Sequence, residues 1–445
     1  MTRRIVVIGA GSAGASACFA ARKKDRKVEI TCINAEPHPT YSRCALPFVI
    51  GGQIDSFDTP TVFGFDFYNS QKIIMMPGVK VETVQTETRN LKTSEGDVGY
   101  DSLVLATGGK AKIPTIPGAD LDGVFVLRTR DDGTEILKRA TPGRKAIING
   151  ASFIALEAAE ALKHRGLEVT CIIRSRALRS MVDQQFSKIV EQKLLEKGIA
   201  VLKGSPLAAV LGDNAVSGVV VNEQEIPADI VIMCTGTAPE TGLAESMGIE
   251  IGSTGGIKVN SRMKTNLQDI YAIGDCVESE CFIRKIPVLS GLGTVATRQG
   301  MVAGANAAGA DLQAPPVLGA SVMKLFDIEI GAVGITEDFA RDAGMEVVNS
   351  TLKYPTLPHY YPGGSDAHVR LLADKNTGRL IGAQVIVDKE AALRTNMLSL
   401  AILKGMTPNE LQMADFCYSP PCSDIWAAEA VTAGGLIRKL ERIDR

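Results

Sequence analysis

A glycine loop that directly follows a short β-branched strand constrains the fold of this chain more than any other feature. The strand-like run is RIVVI (4 to 8), and GAGSAG follows it, with glycines at positions 9, 11 and 14. The small-residue helix pattern ASACFAARKK and the strand-like VEITCI then complete a predicted βαβ unit. Gly9, Gly11 and Gly14 allow a tight turn, close approach of a pyrophosphate and close helix packing, so the loop predicts dinucleotide binding.

The same plan returns downstream in KAIING (145 to 150), the loop residues Ala151 and Ser152, the helix pattern FIALEAAEALKHRG and the strand LEVTCII. Each unit also closes on an apolar strand that runs into Thr-Gly, SLVLATGG (102 to 109) in the first and DIVIMCTGT (229 to 237) in the second. An internal duplication explains this repetition better than chance. The sequence therefore predicts two dinucleotide-binding units in one chain.

The pattern changes after Ala314-Pro315-Pro316. Strands are predicted near SVMKLF, EIGAVG and GRLIGAQVIV, and helices near EAALRTNMLSLAILKG and SDIWAAEAVTAGG. We therefore predict an α/β fold with two tandem Rossmann-like dinucleotide-binding domains and a C-terminal α+β domain. The predicted limits are 1–113 with 241–317 for the first domain, 114–240 for the second and 318–445 for the third.

Composition excludes several classes of function. The 445 residues carry a net charge of -2, so no basic field predicts binding of nucleic acid or anionic lipid. No apolar run is long enough to predict a membrane span, and the glycines after Arg3-Arg4 argue against a signal peptide. Nine cysteines spread along the chain predict separate reduced thiols and a cytoplasmic location.

The segment TNLQDIYAIGDC (265 to 276) predicts which cofactor the first unit binds. It reads as one more buried strand, which ends in Gly274-Asp275. A carboxylate there can accept a hydrogen bond from a ribityl hydroxyl, a group that only a flavin has, so we predict FAD. The residue that holds the adenosine ribose is left open between Asn34 and Glu36, which both follow the second strand.

The second loop predicts a nicotinamide cofactor. Gly150 and Ser152 are small enough for the helix to approach the phosphates, although Ser152 stands where a glycine is usual. Arg174 and Arg176 follow the second strand, where an acid would select NAD, and guanidinium groups there favour a 2′-phosphate. NADPH is the predicted preference, and NADH stays possible.

Further cofactor contacts are predicted from residues that flank these motifs. They are Ser12, Ala13, Ser42, Arg43, Ala106, Thr107, Gly108, Phe153, Ile154, Glu157, Gly236, Ala296 and Thr297.

One cysteine differs from the others in its surroundings. Cys44 lies in YSRCALPFVIGG, at a turn soon after the first glycine loop and without a second cysteine beside it. A helix N-terminus and a flavin would lower the pKa of such a thiol from its free value of about 8.5, which predicts a reactive thiolate. By contrast, four cysteines fall in predicted helix or strand cores and should act as small hydrophobes; they are Cys18, Cys32, Cys171 and Cys234.

Taken together, GAGSAG, YSRCALPFVIGG, LVLATGG, IVIMCTG and TNLQDIYAIGDC resemble the FAD-dependent pyridine nucleotide-disulfide oxidoreductases over nearly the whole chain. CALPFVIGG is most similar to the single-cysteine branch, which holds coenzyme A-disulfide reductase, NADH oxidase, NADH peroxidase and persulfide reductases. The paired Cys-x4-Cys and C-terminal His-Pro of glutathione reductase-like members are absent. Ser12 stands where peroxidases and oxidases of the branch usually carry histidine, which argues against a peroxidase.

The resemblance also implies roles for residues of the C-terminal part. HYYPGGSDAHVRL (359 to 371) and FCYSPPCSD (416 to 424) are similar to segments of coenzyme A-disulfide reductases that place two tyrosines over the partner subunit's cysteine. Tyr361 and Tyr418 would then assist catalysis across a homodimer, with Tyr360 as a possible substitute. Arg22 and Lys23 would meet coenzyme A phosphates, although a solvated helix face would look alike.

The chain departs from these relatives at Cys422, where an aromatic residue is usual. Cys422 could approach the partner's Cys44 and act as a relay thiol, which we keep as a hypothesis. Cys417 lies five residues earlier, but the four histidines form no spaced cluster with these cysteines, so no metal site is expected.

The resemblance implies a homodimeric flavoenzyme in which NAD(P)H reduces FAD and Cys44 then reduces a small disulfide, most of all coenzyme A disulfide. Persulfide, polysulfide or sulfur reduction and NADH oxidation use the same parts and stay open. No sulfurtransferase-like segment follows within these 445 residues, which disfavours a dedicated persulfide enzyme. A flavin electron-transfer or redox-sensing subunit is the alternative from another class.

Overall fold

The computed structural model describes residues 2–443 and contains three five-stranded sheets. The first sheet is entirely parallel. Its strands, in spatial order, are Ile270–Ala272, Ser102–Leu105, Arg4–Ile8, Glu29–Asn34 and Ile73–Pro77. The late strand Ile270–Ala272 thus joins strands from the N-terminal part of the chain. The limits of the domains themselves stay predictions.

The second sheet is also parallel and repeats the arrangement of the first. Its strands, in spatial order, are Val124–Phe125, Ile230–Met233, Lys145–Asn149, Glu168–Ile173 and Ala200–Lys203. In both units the backbone N–H of the first glycine donates to the neighbouring strand, Gly9 to Ile33 O at 2.7 Å and Gly150 to Ile172 O at 3.0 Å. The two predicted βαβ units are therefore confirmed, and they share backbone geometry.

The third sheet is antiparallel and belongs to the C-terminal part. Its strands, in spatial order, are Ser321–Leu325, Ile328–Gly334, Leu380–Val387, Asp366–Asp374 and Val347–Pro355. The predicted mixed α/β fold with an α+β C-terminal part is confirmed. Two of these strands, Val347–Pro355 and Asp366–Asp374, were not predicted from the sequence.

Twelve α-helices and two 3₁₀ turns occur within residues 2–443. The α-helices are Ser12–Lys24, Leu46–Ile50, Phe65–Ser70, Arg130–Arg139, Phe153–His164, Gln184–Glu196, Gly242–Ser246, Gly293–Ala307, Glu337–Asp342, Ala391–Leu403, Pro408–Gln412 and Ala428–Ile443. The 3₁₀ turns are Arg43–Ala45 and Gly274–Cys276. Every helix in this described part is too short or too polar to cross a membrane.

The helix expected near SDIWAAEAVTAGG begins later than the pattern predicted, at Ala428. The preceding residues are held in a loop, because the Asp424 N–H donates to Thr356 O at 3.1 Å and the Ser423 N–H to Ser419 O at 2.9 Å. The prediction of the helix was correct, but its start was wrong by several residues.

Smaller sheets connect and flank the large ones. Three of them have two strands and pair Gly109–Ala111 with Thr237–Pro239, Thr40–Tyr41 with Thr61–Phe63, and Glu278–Glu280 with Pro287–Leu289. One three-stranded sheet consists of Val81–Gln85, Asn90–Thr93 and Gly96–Gly99. The other three-stranded sheet consists of Leu207–Leu211, Gly218–Val221 and Gln224–Pro227.

The core that surrounds the second sheet reaches into all three parts of the chain. It includes Leu46 and Ile50 from the helix after Cys44, together with Leu325 and Ile330 from the C-terminal sheet. The Arg165 Nε also donates to Ile50 O at 2.6 Å. The short helix behind Cys44 is thus fixed directly against the second unit.

Candidate active site

Cys44 lies on the 3₁₀ turn Arg43–Ala45, immediately before the helix Leu46–Ile50. Leu46, Val49 and Ile50 are buried and anchor this helix, whereas Cys44 is exposed. The cysteines that were predicted to lie in the core, Cys18, Cys32, Cys171 and Cys234, are all buried, which confirms that prediction. Anchored backbone and exposed sulfur are what a fixed nucleophile requires.

Two carboxylates from distant parts of the chain act on the Cys44 thiol. The protein atoms around the sulfur displace part of its water and so raise its pKa, and the negative charges of Glu157 and Asp275 raise it further. The positive charge of Arg128 lowers the pKa, but less strongly. The predicted lowering of the Cys44 pKa is therefore wrong for the protein groups alone, because partial burial of the sulfur raises the pKa and the carboxylates of Glu157 and Asp275 raise it further.

Arg128 is a site residue that the sequence analysis missed. Its Nη2 donates to Asp275 Oδ2 at 2.8 Å and its Nε to Gly109 O at 3.1 Å. Its own carbonyl accepts a hydrogen bond from Arg43 Nη1 at 2.7 Å. Arg128 thus joins the turn of Cys44 to the Gly-Asp turn. No sequence pattern marks it, because these partners are remote in the chain.

Glu157 lies on the first helix of the second unit and is partly buried. Burial raises the pKa of Glu157 to about 7, and the nearby Glu160 contributes. Glu160 is used structurally, since it accepts the Phe326 N–H at 2.8 Å. Glu157 makes no hydrogen bond to any other described residue. Its pKa of about 7 means that the charge it exerts on the Cys44 thiol changes near neutral pH.

The first glycine loop has the form of a dinucleotide cradle. Gly9 has a φ of +103°, and a Cβ on Gly9 would overlap the carbonyl of Ala106, while one on Gly14 would overlap the carbonyl of Gly9. Nothing lies within 4 Å of the Cβ position at Gly11. The helix begins at Ser12 without a side-chain cap, so its first N–H groups are available to a phosphate.

The two candidates for the ribose contact differ in their surroundings. The Asn34 side chain is already used within the loop, because its Oδ1 accepts the Ala10 N–H at 3.3 Å and its Nδ2 donates to Glu36 O and His38 O. The Glu36 carboxylate contacts the Tyr41 hydroxyl and Arg43, and it lines a cleft of about 420 Å³. A carboxylate has further acceptor capacity, so Glu36 fits the ribose contact better than Asn34.

The Gly274-Asp275 turn is fixed by a second residue that the sequence analysis missed. Gly274 has a φ of +81°, and its N–H donates to Gln299 Oε1 at 2.8 Å. Gln299 lies on the helix Gly293–Ala307, which also carries the predicted contacts Ala296, buried, and Thr297, partly buried. The Asp275 carboxylate keeps one oxygen beyond its bond to Arg128 that can accept from a ligand.

The remaining predicted residues of the first unit surround this region. Ala13 is buried beside Gly274 and Gly300, and Ser42 precedes the turn of Cys44. Thr107 Oγ1 donates to Glu240 O at 2.6 Å, and Gly108 has a φ of +74°.

The second glycine loop makes the same kind of tight turn as the first, with a glycine at positive φ, but its side chains differ. Gly150 has a φ of +143°, and a Cβ there would overlap the carbonyl of Cys234. Ser152 precedes the helix without capping it, and Phe153 and Ile154, both partly buried, open the helix Phe153–His164. Gly236 has a φ of +110° and is exposed after the closing strand. The uncapped helix end again fits a phosphate.

The two arginines that were predicted to meet a 2′-phosphate lie in different surroundings. Arg174 is exposed and forms no ion pair with the described residues. Arg176 is not free, because it donates to Asp338 Oδ2 at 2.7 Å, to Ser187 Oγ at 3.0 Å and to Val182 O. The prediction for Arg176 therefore needs correction, since its guanidinium is already paired within the protein.

The three tyrosines that were predicted to act at the site are all exposed. The hydroxyls of Tyr360 and Tyr418 lie 3.0 Å apart, and this hydrogen bond raises the pKa of Tyr360. Tyr360, rather than Tyr361, is thus the partner of Tyr418. No hydrogen bond within residues 2–443 joins any of the three to Cys44. Cys417 and Cys422, in the neighbouring loop, are exposed and free.

The predicted phosphate contact Arg22 is also paired within the protein. Its guanidinium donates to four backbone carbonyls, at Gln71, Arg26, Val28 and Lys72. This prediction needs correction, because a guanidinium with these partners stabilises the fold. Lys23 is exposed and stays a candidate.

A larger cavity lies away from Cys44. It measures about 650 Å³, between the helix Gln184–Glu196 and the C-terminal sheet, and none of the predicted site residues lines it.

Family models match two long segments of the chain. Residues 3–300 match the pyridine nucleotide-disulphide oxidoreductase model, and residues 320–430 match the dimerisation domain of the same enzymes.

Similar proteins cover nearly the full length of the chain. An NADH oxidase from Methanocaldococcus jannaschii is 37% identical over 98% of this chain and 99% of its own. An NAD(P)H sulfur oxidoreductase (CoA-dependent) from Pyrococcus furiosus is 33% identical over 95% and 97%. A coenzyme A disulfide reductase from Staphylococcus haemolyticus is 28% identical over 95% and 96%.

A solved structure is also similar to this chain over nearly its full length. The NAD-dependent persulfide reductase from A. fulgidus superimposes with a TM-score of 0.95 at 32% identity, over 98% of this chain and 84% of that one. The similarity therefore extends across all three sheets.

Proposed function

The chain belongs to the pyridine nucleotide-disulphide oxidoreductase family, and on this premise we propose that it passes hydride from NAD(P)H through FAD to Cys44, which reduces a small disulfide. Coenzyme A disulfide is the preferred substrate in this proposal. The supporting observation is the position of Cys44, an exposed sulfur on which one carboxylate from each nucleotide unit acts, Asp275 from the first and Glu157 from the second.

The residues around the first glycine loop fit FAD. Gly11 leaves room for the pyrophosphate, Glu36 lines the cleft near the adenosine end, and Asp275 has an acceptor oxygen for a ribityl hydroxyl. When bound, FAD would supply the two-electron link between NAD(P)H and sulfur. The chain's own side chains bind the cofactors, set the charge around Cys44 and carry the sulfur chemistry.

Cys44 acts as the nucleophile. Its thiolate attacks one sulfur of the substrate, the substrate S–S bond breaks, and a mixed disulfide forms between Cys44 Sγ and one half of the substrate. The other half leaves as a thiolate and takes up a proton. Two electrons from NAD(P)H then return Cys44 to the thiolate and release the second thiol. The sum is one disulfide, one NAD(P)H and one proton converted to two thiols and NAD(P)⁺.

The charged groups near Cys44 determine how readily its thiol loses a proton. Asp275 and Glu157 oppose the thiolate, while Arg128 favours it. Because Glu157 has a pKa of about 7, it can take a proton when the thiolate forms and so reduce the opposing charge. Glu157 is thereby proposed as the proton reservoir of the site.

A homodimer would complete the site. The dimerisation-domain match covers Tyr360, Tyr361 and Tyr418. In this proposal one of the hydrogen-bonded hydroxyls of Tyr360 and Tyr418 donates to the other, and the second donates to the leaving thiolate at Cys44 of the other subunit. Cys422 stays a hypothetical relay thiol in the same loop.

Persulfide or sulfur reduction is the second candidate. It is favoured by the names of two relatives with more than 30% identity, the NAD(P)H sulfur oxidoreductase and the persulfide reductase. A persulfide would undergo the same attack by Cys44, with hydrosulfide as the leaving group. Both candidates need Cys44, so substrate comparison separates them.

The experiment measures NADPH and NADH consumption with coenzyme A disulfide, coenzyme A persulfide and oxygen. We expect the highest kcat/KM with coenzyme A disulfide and a loss of about a thousandfold in Cys44→Ser, with flavin retained. Cys417→Ser, which also removes one exposed thiol, is the matched control and should behave as the parent. A higher kcat/KM with the persulfide would favour the second candidate.

Absorption spectroscopy distinguishes a reductase that uses Cys44 from a flavin protein that only transfers electrons. Anaerobic titration with NADPH should produce a long-wavelength charge-transfer band in the parent and none in Cys44→Ser. A parent protein without this band, and with full electron transfer to an artificial acceptor, would support a carrier that does not use Cys44.

A further inference from the structure

The loop that follows the second strand of the second unit is attached to the C-terminal part of the chain. Arg176 is the central contact, because its Nη2 lies 2.7 Å from Asp338 Oδ2 while its Nη1 bonds to Ser187 Oγ and Val182 O. The Arg176 side chain is only 10% exposed, compared with 40% for Asp338. The positive charge of Arg176, which the sequence analysis predicted to lie beside the ribose, is thus neutralised by Asp338 from the C-terminal part of the chain.

The far end of the same loop is held independently. Asp183 Oδ2 accepts hydrogen bonds from Arg370 Nε at 2.7 Å and from Gln384 Nε2 at 2.8 Å, and Asp183 Oδ1 accepts from the Glu337 N–H at 2.9 Å. Arg370 and Asp183 are almost fully buried, with 4% and 7% of their side chains exposed. Removal of Asp338 would therefore leave the loop anchored through Asp183.

Asp338 faces several positive charges. The hydrogen bond from Arg176 is the largest effect that lowers the pKa of Asp338, and Arg341 and Arg179 act in the same direction. Asp338 is therefore ionised at neutral pH and cancels positive charge at this end of the loop. Arg174, two residues before Arg176, keeps an exposed side chain without an ion-pair partner among residues 2–443.

We propose that Asp338 sets the preference between NADH and NADPH by holding Arg176 away from the 2′ position of the bound ribose. This inference rests on the proposed NAD(P)H site of the second unit, but not on the identity of the sulfur substrate. With Arg176 paired, a 2′-phosphate can still meet the exposed guanidinium of Arg174, which allows both cofactors to bind. When the Asp338 carboxylate is removed, Arg176 Nη2 loses its ionic partner and the local positive charge rises by one.

The test uses two nucleotide fragments that differ only in the 2′-phosphate, 5′-AMP and adenosine 2′,5′-bisphosphate, with dissociation constants measured by calorimetry on the flavin-loaded protein. In Asp338→Asn we expect binding of the bisphosphate to tighten about tenfold, because the positive charge of Arg176 is no longer cancelled by a carboxylate. Binding of 5′-AMP should change by less than about twofold, because the ribose and adenine contacts stay the same.

Two further variants make the result specific. Asp342→Asn removes an equal charge from the same helix, Glu337–Asp342, but from an exposed residue that does not contact Arg176, and it should leave both affinities unchanged. Arg176→Ala should abolish the gain in the Asp338→Asn background, because the uncancelled positive charge is then absent.

Other results would overturn the proposal. If Asp338→Asn weakens both fragments together, Asp338 only stabilises the loop. If the parent binds 5′-AMP and the ratio of the two affinities does not change in Asp338→Asn, the inference fails while the nucleotide site stands. If the parent binds neither fragment, the nucleotide site of the proposed function is wrong, and the inference fails with it.

Discussion

The two nucleotide-binding units have the same backbone but differ in the side chains that face a ligand. In each unit a glycine with positive φ follows the first strand, and a Cβ on it would overlap the carbonyl after the closing strand, at Ala106 for Gly9 and at Cys234 for Gly150. The tight turn is therefore required in both. The duplication preserves what the backbone needs, whereas the ligand-facing positions have diverged.

The first unit is the more closely packed of the two. The helix Gly293–Ala307 lies against its first helix, so that a Cβ on Gly300 or Gly304 would overlap the carbonyls of Ala13 or Ala17. In the second unit Ala155 stands where the first has Gly14, and it is buried without such an overlap. This difference is what we expect if the first unit retains its cofactor while the second exchanges it.

The largest expected effect comes from exchanging these equivalent residues. Gly14→Ala places a methyl group against the Gly9 carbonyl, so we expect the loop to shift, bound flavin to be lost and the free energy of unfolding to fall by about 3 kcal/mol. Ala155→Gly should cost only about 1 kcal/mol and keep the flavin. Flavin absorbance per protein after gel filtration, together with thermal unfolding, measures both effects.

Ala155→Gly is the matched control, because it changes the equivalent position in the opposite direction. A Gly14→Ala protein with a full complement of flavin and parental stability would show that the first unit is not packed more closely than the second.

The next largest expected effect tests whether the second unit recognises a ribose 2′-phosphate through Arg174. Arg174→Ala removes the exposed cation of the second unit, and we expect affinity for adenosine 2′,5′-bisphosphate to fall about tenfold while affinity for 5′-AMP is unchanged. Titration calorimetry of the two fragments provides the measurement. Arg144→Ala removes an exposed arginine from the turn before the Lys145–Asn149 strand and serves as the control. Equal weakening of both fragments would mean that Arg174 does not recognise the 2′ position.

The smallest expected effect is on the reactivity of the Cys44 thiol, which carboxylates from both units influence. Glu157→Gln removes a negative charge that raises the Cys44 pKa, so we expect this pKa to fall and alkylation by iodoacetamide at pH 8 to become about threefold faster. Because Glu157 has a pKa of about 7, it is mostly neutral below pH 6, and the parent and variant rates should converge there.

Glu168→Gln, an exposed change on the neighbouring strand, is the control for general charge and should leave the rate as it is in the parent. Slower alkylation in Glu157→Gln at pH 8 would contradict the sign of the interaction between Glu157 and Cys44.

Much of the fold could be predicted from the sequence because the strands of both units are continuous apolar runs bounded by glycine. The strands Val347–Pro355 and Asp366–Asp374 were missed, since buried polar residues such as Arg370 and Ser350 interrupt their pattern. Patterns of hydrophobicity report burial by apolar residues and do not reveal a strand that buries an ion pair.

The candidate site was predictable in its loops but not in its charges. The glycine motifs and Cys44 are local, whereas Arg128 acts through Asp275, a residue far along the chain. Arg22 and Arg176 were predicted as phosphate contacts from the sequence, yet the sequence cannot show that their guanidinium groups are paired with backbone carbonyls or with Asp338. Which oxygen an arginine meets is decided by tertiary packing.

The central claim is that the Cys44 sulfur alternates between a free thiolate and a mixed disulfide, and intact-protein mass spectrometry tests it most directly. The reduced protein is mixed anaerobically with coenzyme A disulfide in the absence of NAD(P)H, and the adduct is located by peptide mapping. The account predicts one coenzyme A per chain on Cys44, removed when NADPH is added, and none in Cys44→Ser. An unmodified Cys44, or an adduct that forms equally in Cys44→Ser, would contradict it.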